Sequence, residues 1–141
     1  MRIYVFGSNL AGIHGKGDAL TARQLHGAIL RQGEGLQGQS YGIPTKDAYI
    51  RSLPLLKIQP GVERFLAFAR AHPEMTFDVQ RVGCRLAGYT AAQIAPFFAG
   101  APENCFFHED FRAVLRGMGA QFNDAAIPVE AHVLPDQGAL F

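Results

Sequence analysis

Two glycine-rich segments are the parts of this chain best suited to chemistry. The first glycine loop, residues 7–17, reads GSNLAGIHGKG, and the second glycine loop, residues 83–89, reads GCRLAGY. Glycine in such turns permits positive φ and lets backbone N–H groups approach a ligand closely, while a helix behind the turn adds partial positive charge. Two such loops in a chain of 141 residues predict one long anionic ligand, for instance a diphosphate.

Polar side chains in or near the first glycine loop could act on such a ligand. Asn9 could fix its own turn, since asparagine bonds its own backbone. Asp18 could serve as a helix N-cap. Lys46 could be one half of a solvated surface pair with Asp47. His14 could contact a phosphate and transfer a proton, or it could lie in solvent.

The second glycine loop offers two more side chains of interest. Arg85 could bind pairs of phosphate oxygens, or it could face solvent. Cys84 is interpreted as a small buried hydrophobe rather than a nucleophile, because no base is placed near it. The remaining histidines, His26, His72, His108 and His132, have no ligand-like spacing to one another or to the cysteines, so we expect no metal site, and no cofactor is implied.

Strand and helix patterns alternate along the chain, which predicts an α/β architecture with right-handed crossovers. Apolar runs predict strands at residues 3–6, 40–43, 77–82 and 104–107. Helical spacing of apolar residues predicts helices at residues 19–30, 60–71, 91–98 and 110–118. Pro44 is expected to end the second strand, and residues 48–57 to hold a loop plus a short edge strand. After Gly119 we expect a marginal strand or disorder.

Length and composition indicate a single domain spanning residues 1–141. The formal charge of +1 lacks the electrostatic footprint of a dedicated duplex-nucleic-acid binder. Cys84 and Cys105 are expected to be reduced, in a cytoplasmic setting. No apolar run approaches the ~18 residues of a membrane span, so no membrane partner is expected.

The order of these motifs resembles the macrodomain family of ADP-ribose-binding modules. The resemblance covers roughly residues 3 to 115 and is carried by four segments, which read FGSN at 6–9, GKGDA at 15–19, GIPTK at 42–46 and RVGCRL at 81–86. It looks closest to the branch with the terminal ADP-ribose protein glycohydrolase and the ADP-ribose-1''-phosphate phosphatases. It implies a three-layer fold in which helices flank a mostly parallel mixed sheet.

The resemblance also implies roles for single residues. Asn9 looks like the asparagine that holds the distal ribose, and Asp18 is similar to an aspartate that activates water. Lys46 falls where the glycohydrolase branch keeps a lysine that attacks C1'' of the sugar. The candidate catalytic residues are therefore Asn9, His14, Asp18 and Lys46. The candidate ligand-binding residues are Gly7, Ser8, Asn9, Gly15, Lys16, Gly17, Gly83, Cys84, Arg85, Leu86, Ala87, Gly88 and Tyr89.

Two positions of the second glycine loop depart from that branch. Arg85 stands in place of a glycine, and Ala87 stands in place of the aspartate that serves the lysine as acid and base. The expected ligand is ADP-ribose or a related NAD-derived nucleotide, free or attached to a macromolecule. Three functions stay open. The protein could hydrolyse a bond at C1'' or a 1''-phosphate, or it could read or sequester a nucleotide signal without catalysis. It could also bind another protein, in which case the glycine turns would be merely structural. A nucleotide site requires both loops side by side at the carboxyl ends of neighbouring parallel strands.

Overall fold

A computed structural model describes residues 1–129 of the chain. In chain order its elements are β1 (Arg2–Asn9), α1 (Gly17–Leu25), β2 (Gly35–Gln37), β3 (Ser40–Lys46), α2 (Leu55–Ala71), β4 (Thr76–Val79), α3 (Ala91–Ile94), a 3-10 helix (Ala95–Phe98), β5 (Cys105–Phe107) and α4 (Glu109–Gly117). Among these residues, no helix is long and apolar enough to cross a membrane.

The strands form one mixed sheet in the order β2-β3-β1-β4-β5. Strands β3, β1, β4 and β5 are parallel, and only β2 runs antiparallel to its neighbour, β3. The centre of the sheet is β1, where Val5 pairs with Tyr41 of β3 on one side and with Val79 of β4 on the other. The predicted α/β architecture with a mostly parallel mixed sheet is confirmed.

Alternate side chains of β1 enter two separate cores. Ile3 and Val5 lie in the larger core, together with buried side chains of α2, the 3-10 helix and α4. Tyr4 and Phe6 lie in the smaller core, together with Ala19 of α1. Successive side chains of a strand point to opposite faces, so helices cover both faces of the sheet.

Several predicted element ends are wrong. The first strand continues beyond residue 6 to Asn9, whereas β4 ends at Val79 and not at residue 82. Helix α1 ends at Leu25 instead of residue 30, because the chain turns at Gly27 with a φ of 75°. The predicted helix at 91–98 is α3 followed by the 3-10 helix. Strand β2 has only three residues, which is too short for an alternating pattern to show it.

Neither Pro44 nor Pro60 marks the boundary that the sequence predicts. Pro44 lies inside β3, at a point where the pairing with β2 has already ended at Gly42 and only β1 is alongside. Proline is tolerated where a strand has one neighbour. Helix α2 begins at Leu55 and carries Pro60 inside it, so no edge strand occupies residues 48–57. The segment contributes only an isolated bridge between Ser52 and Lys46.

The region after Gly119 contains one strand-like contact within the described part of the chain. Ala126 forms an isolated parallel bridge with Phe107 at the end of β5. A marginal strand or disorder was expected for the whole region after Gly119. Its remaining part, residues 130–141, lies outside the described residues.

An ion pair ties β1 to β4 on the side of the smaller core. Asp78 is fully buried, and its carboxylate accepts two hydrogen bonds from the Arg2 guanidinium, from Nε at 2.9 Å and from Nη2 at 2.5 Å. The guanidinium also lies over the Phe106 ring, 5.0 Å from its centroid. The pair therefore joins three of the parallel strands at the amino end of β1.

We expect Arg2→Ala to lower the free energy of unfolding by about 3–5 kcal/mol, because it leaves a buried carboxylate without its guanidinium. Arg2→Lys should recover only part of the loss, since an ammonium group cannot make the same paired hydrogen bonds. Urea denaturation of the three proteins measures both effects. A loss below about 1 kcal/mol in Arg2→Ala, the range of surface pairs, would contradict this role for Arg2.

Candidate functional site

The carboxyl ends of β1, β3 and β4 border a cavity of about 360 Å³. Both neighbours of β1 are parallel to it, so the segments that follow the three strands leave the sheet at the same edge. We call this space the loop cavity. The candidate residues that line it are Gly7, Ser8, Asn9, Gly15, Lys16, Gly17, Asp18, Lys46, Gly83, Arg85, Leu86 and Ala87.

The two glycine loops approach each other closely in the wall of the loop cavity. A Cβ atom at Gly7 would lie 3.3 Å from the backbone nitrogen of Gly83, and one at Gly17 would lie 3.2 Å from Cδ1 of Leu86. Gly83 has a φ of 78°, and a Cβ there would lie 3.0 Å from Cδ1 of Ile94. The prediction that the loops lie side by side is confirmed, and the close approach explains glycine at positions 7 and 83.

Asn9 fixes the shape of the first glycine loop. Its Nδ2 donates to the carbonyl of Ile13 at 2.6 Å, and its Oδ1 accepts from the N–H of Ile13 at 3.0 Å. The N–H of Leu10 donates to the carbonyl of Lys46 at 3.0 Å, which ties the loop to β3. Of the two interpretations of Asn9, the structure shows the turn-fixing one. Asn9 also lines the loop cavity.

The amino end of α1 opens into the loop cavity. Lys16 is its N-cap residue, and no side chain among the described residues caps the helix. Gly17, Asp18 and Ala19 form the first turn and line the cavity. The N–H groups of a first turn have no partners within the helix and carry partial positive charge, so this end of α1 suits an anion.

Asp18 is not the N-cap that its position suggests. It lies inside the first turn of α1 and accepts a hydrogen bond from the Tyr4 hydroxyl at 3.3 Å. Burial raises the pKa of Tyr4 far above its ordinary value, and the Asp18 carboxylate raises it further. Tyr4 is therefore a neutral donor that holds the Asp18 carboxylate at the edge of the cavity.

Among the described residues that line the cavity, cationic side chains outnumber carboxylates. Four are cationic, namely Lys16, Lys46, Arg81 and Arg85, and Asp18 alone is a carboxylate. Arg81 pairs with Asp110 of α4 at 2.9 Å. The other three cations have no ion-pair partner within residues 1–129. Lys46 is half-buried, whereas Lys16 and Arg85 are exposed. The cavity therefore presents positive charge that the described residues do not neutralise.

His14 lies away from the loop cavity although its neighbours in sequence line it. Its side chain is fully buried, its Nε2 donates to the carbonyl of Ile29 at 2.9 Å, and its ring meets Phe6 edge-on. Both interpretations of His14, as a ligand contact and as a solvent-exposed residue, are wrong. The ring instead packs in the smaller core beneath the first glycine loop.

Three candidates in the second glycine loop also lie outside the lining. The Cys84 thiol contacts the carbonyl of Val82 at 3.6 Å, and burial raises its pKa to about 11, which agrees with the interpretation of an inert thiol. The Tyr89 hydroxyl donates to the carbonyl of Leu53 at 2.5 Å. Gly88 turns the chain with a φ of 87°. These residues shape the loop and do not face the cavity.

The lining includes residues that the sequence analysis did not single out, namely Ile13, Ala19, Thr45, Ile50 and Arg81. Thr45 lies at the carboxyl end of β3 and Arg81 lies just after the end of β4 at Val79, and these positions were the signal that could have identified them. Ile50 carries no such signal. It reaches the cavity because the turn at residues 47–51 folds back, and Ser52 Oγ then donates to the carbonyl of Ala87 at 2.7 Å.

Comparisons with protein-family models, with curated proteins and with solved structures found no match for this chain. Among residues 1–129, no three His, Cys, Asp or Glu side chains are grouped so that they could hold a metal ion.

Proposed function

We propose that this chain binds ADP-ribose or a related NAD-derived nucleotide, with the diphosphate between the two glycine loops. One observation carries the proposal. The amino end of α1, which no described side chain caps, meets three cations in one cavity, and these cations have no carboxylate partner within residues 1–129. Backbone N–H groups at a helix end and unpaired cations complement phosphate oxygens. Helices on both faces of a mostly parallel sheet support the resemblance to macrodomains.

The size of the loop cavity suggests which part of the ligand it encloses. Its volume of about 360 Å³ is near the lower end of the roughly 300–1,000 Å³ that ligand sites occupy. A dinucleotide-like molecule would fill it and extend beyond its mouth. In the proposed pose the diphosphate lies at the amino end of α1, and the distal ribose lies near Asn9 and Lys46.

Hydrolysis at C1'' needs a nucleophile and a group that transfers protons. In a mechanism like that of the glycohydrolases, the Lys46 amine forms a bond to C1'' while the bond breaks between C1'' and the carboxylate of the ADP-ribosylated substrate protein. The amine must lose a proton, and water must then release the sugar. Ala87 provides no carboxylate for these transfers, and Asp18 is the one carboxylate that residues 1–129 contribute to the lining. Because acid–base groups are few, the second candidate function is that of a reader, a protein that binds the nucleotide signal without hydrolysing it.

Binding is tested with Gly15→Glu and a panel of ADP-ribose, ADP-ribose-1''-phosphate, NAD and AMP. A Cβ at Gly15 would meet only Cγ2 of Ile13, at 3.8 Å, so a glutamate can enter the cavity without disturbing the fold. We expect ADP-ribose at a hundredfold excess over its Kd to stabilise the wild type by roughly 2.7 kcal/mol in a thermal-shift assay. Gly15→Glu should show no shift, because its carboxylate occupies the place of a phosphate.

Gly117→Glu is the matched control. It adds the same charge at an exposed position of α4 where a Cβ meets nothing within 4 Å, and it should shift like the wild type. Gly83→Val is a poorer test, because valine is strained at a φ of 78° and its Cβ would lie 3.0 Å from Cδ1 of Ile94, so the fold itself would be disturbed. If no ligand of the panel shifts the wild type, or if Gly15→Glu shifts as much as Gly117→Glu, the proposed site is wrong.

Chemistry is tested by release of ADP-ribose from ADP-ribosylated carboxylates. We expect Ala87→Asp to raise the release rate by ~100 to 10,000-fold, the usual worth of acid–base assistance, and Lys46→Ala to abolish the gain. Ala87→Asn is the control, because its amide has a similar size and cannot transfer the proton. Release by the wild type that survives Lys46→Ala would contradict the lysine mechanism. No release by any variant that still binds ADP-ribose would favour the reader.

A further inference from the structure

Three large apolar side chains stand exposed around the mouth of the loop cavity. Ile13, Ile50 and Leu86 all line the cavity, yet they are 51%, 42% and 56% exposed. They come from three separate segments, which are the first glycine loop, the turn after β3 and the second glycine loop. Exposed apolar side chains gathered at a cavity are typical of a surface that a ligand covers.

Ile50 is held at this mouth in an unfavourable backbone conformation. Its φ is 64°, a left-handed value that is an outlier for a β-branched residue. The turn is fixed by bonds on both sides of Ile50. The N–H of Asp47 donates to the carbonyl of Arg51 at 2.7 Å, and the Asp47 carboxylate accepts from the N–H groups of Tyr49 and Arg51 at 2.8 and 3.0 Å.

The same turn is tied to both β3 and the second glycine loop. The N–H of Leu53 donates to the carbonyl of Thr45 at 2.8 Å, and Ser52 Oγ donates to the carbonyl of Ala87 at 2.7 Å. Ile50 is therefore fixed opposite the loop that carries Leu86. Glycine or asparagine would adopt this backbone at lower cost, so the isoleucine side chain is not explained by the turn itself.

We propose that Ile13, Ile50 and Leu86 form an apolar clamp that takes the nucleobase of the bound nucleotide, with Ile50 as its specificity-determining residue. The inference rests on the proposed function and names the part of the ligand that lies at the mouth. Phosphates are drawn to the cations and the helix end, and a ribose is covered with hydroxyl groups. The flat, poorly hydrated base is the part that gains from leaving water against three apolar side chains.

The clamp is tested by calorimetric titration of wild type, Ile50→Gly and Ile50→Asn with ADP-ribose and with ribose 5-phosphate, which has no base. Both variants should weaken ADP-ribose binding by about tenfold, the loss expected from one part-buried isoleucine contact. Both should leave binding of ribose 5-phosphate unchanged. Their midpoints of urea denaturation should equal or exceed that of the wild type, because the strained backbone is relieved.

Arg31→Gly is the matched control for strain relief. Arg31 is the other non-glycine residue with positive φ among the described residues, at 74°, and it does not line the loop cavity. Its substitution relieves a similar strain and should leave the ratio of the two affinities as in the wild type. Loss of the Arg31 charge affects the binding of both ligands, so its effect cancels in the ratio of the affinities for ADP-ribose and ribose 5-phosphate.

The outcomes separate the clamp from the proposed function. A fall in the affinity ratio for both Ile50 variants but not for Arg31→Gly supports the clamp. An unchanged ratio, or an equal loss for both ligands, overturns the clamp and leaves the nucleotide site in place. Failure of the wild type to bind ADP-ribose overturns the proposed function and the clamp together.

Discussion

The loop cavity depends on the close approach of two backbones, at Gly7 in β1 and at Gly83 in the second glycine loop. A single Cβ at Gly7 would press on the Gly83 nitrogen, and one at Gly83 would press on Ile94, which is fully buried in the larger core. The second glycine loop is thereby held against the core on one side and against β1 on the other. The positions of the backbone groups of this loop are therefore set by core packing and not by the loop alone.

Much of this arrangement could be predicted from sequence, because it follows from local patterns. The apolar runs of β1 and β4, each followed by a glycine loop, predict parallel strands whose loops meet at one edge. The burial of His14 could not be predicted in this way, since its partners are Phe6 and the carbonyl of Ile29. Ile50 was missed for a similar reason, because its position depends on hydrogen bonds that only the folded turn makes.

The loop cavity suits the proposed nucleotide better than it suits hydrolysis. Three cations without ion-pair partners within residues 1–129 and a helix end that no described side chain caps complement phosphate groups, and Asn9 stiffens the first glycine loop. The acid–base groups are fewer, because His14 is buried in the smaller core and position 87 is alanine. Fold does not determine function, so the chemistry of these few side chains decides between a reader and an enzyme.

We propose that one ligand lies between the two glycine loops, and titration of ¹⁵N-labelled protein with ADP-ribose, followed at each backbone amide by NMR, measures this. The amides of residues 15–19 and 83–87 should shift together, with one common Kd, while those at the Ala126–Phe107 bridge stay in place. Shifts confined to one loop, or centred on residues outside the loop cavity, would contradict it.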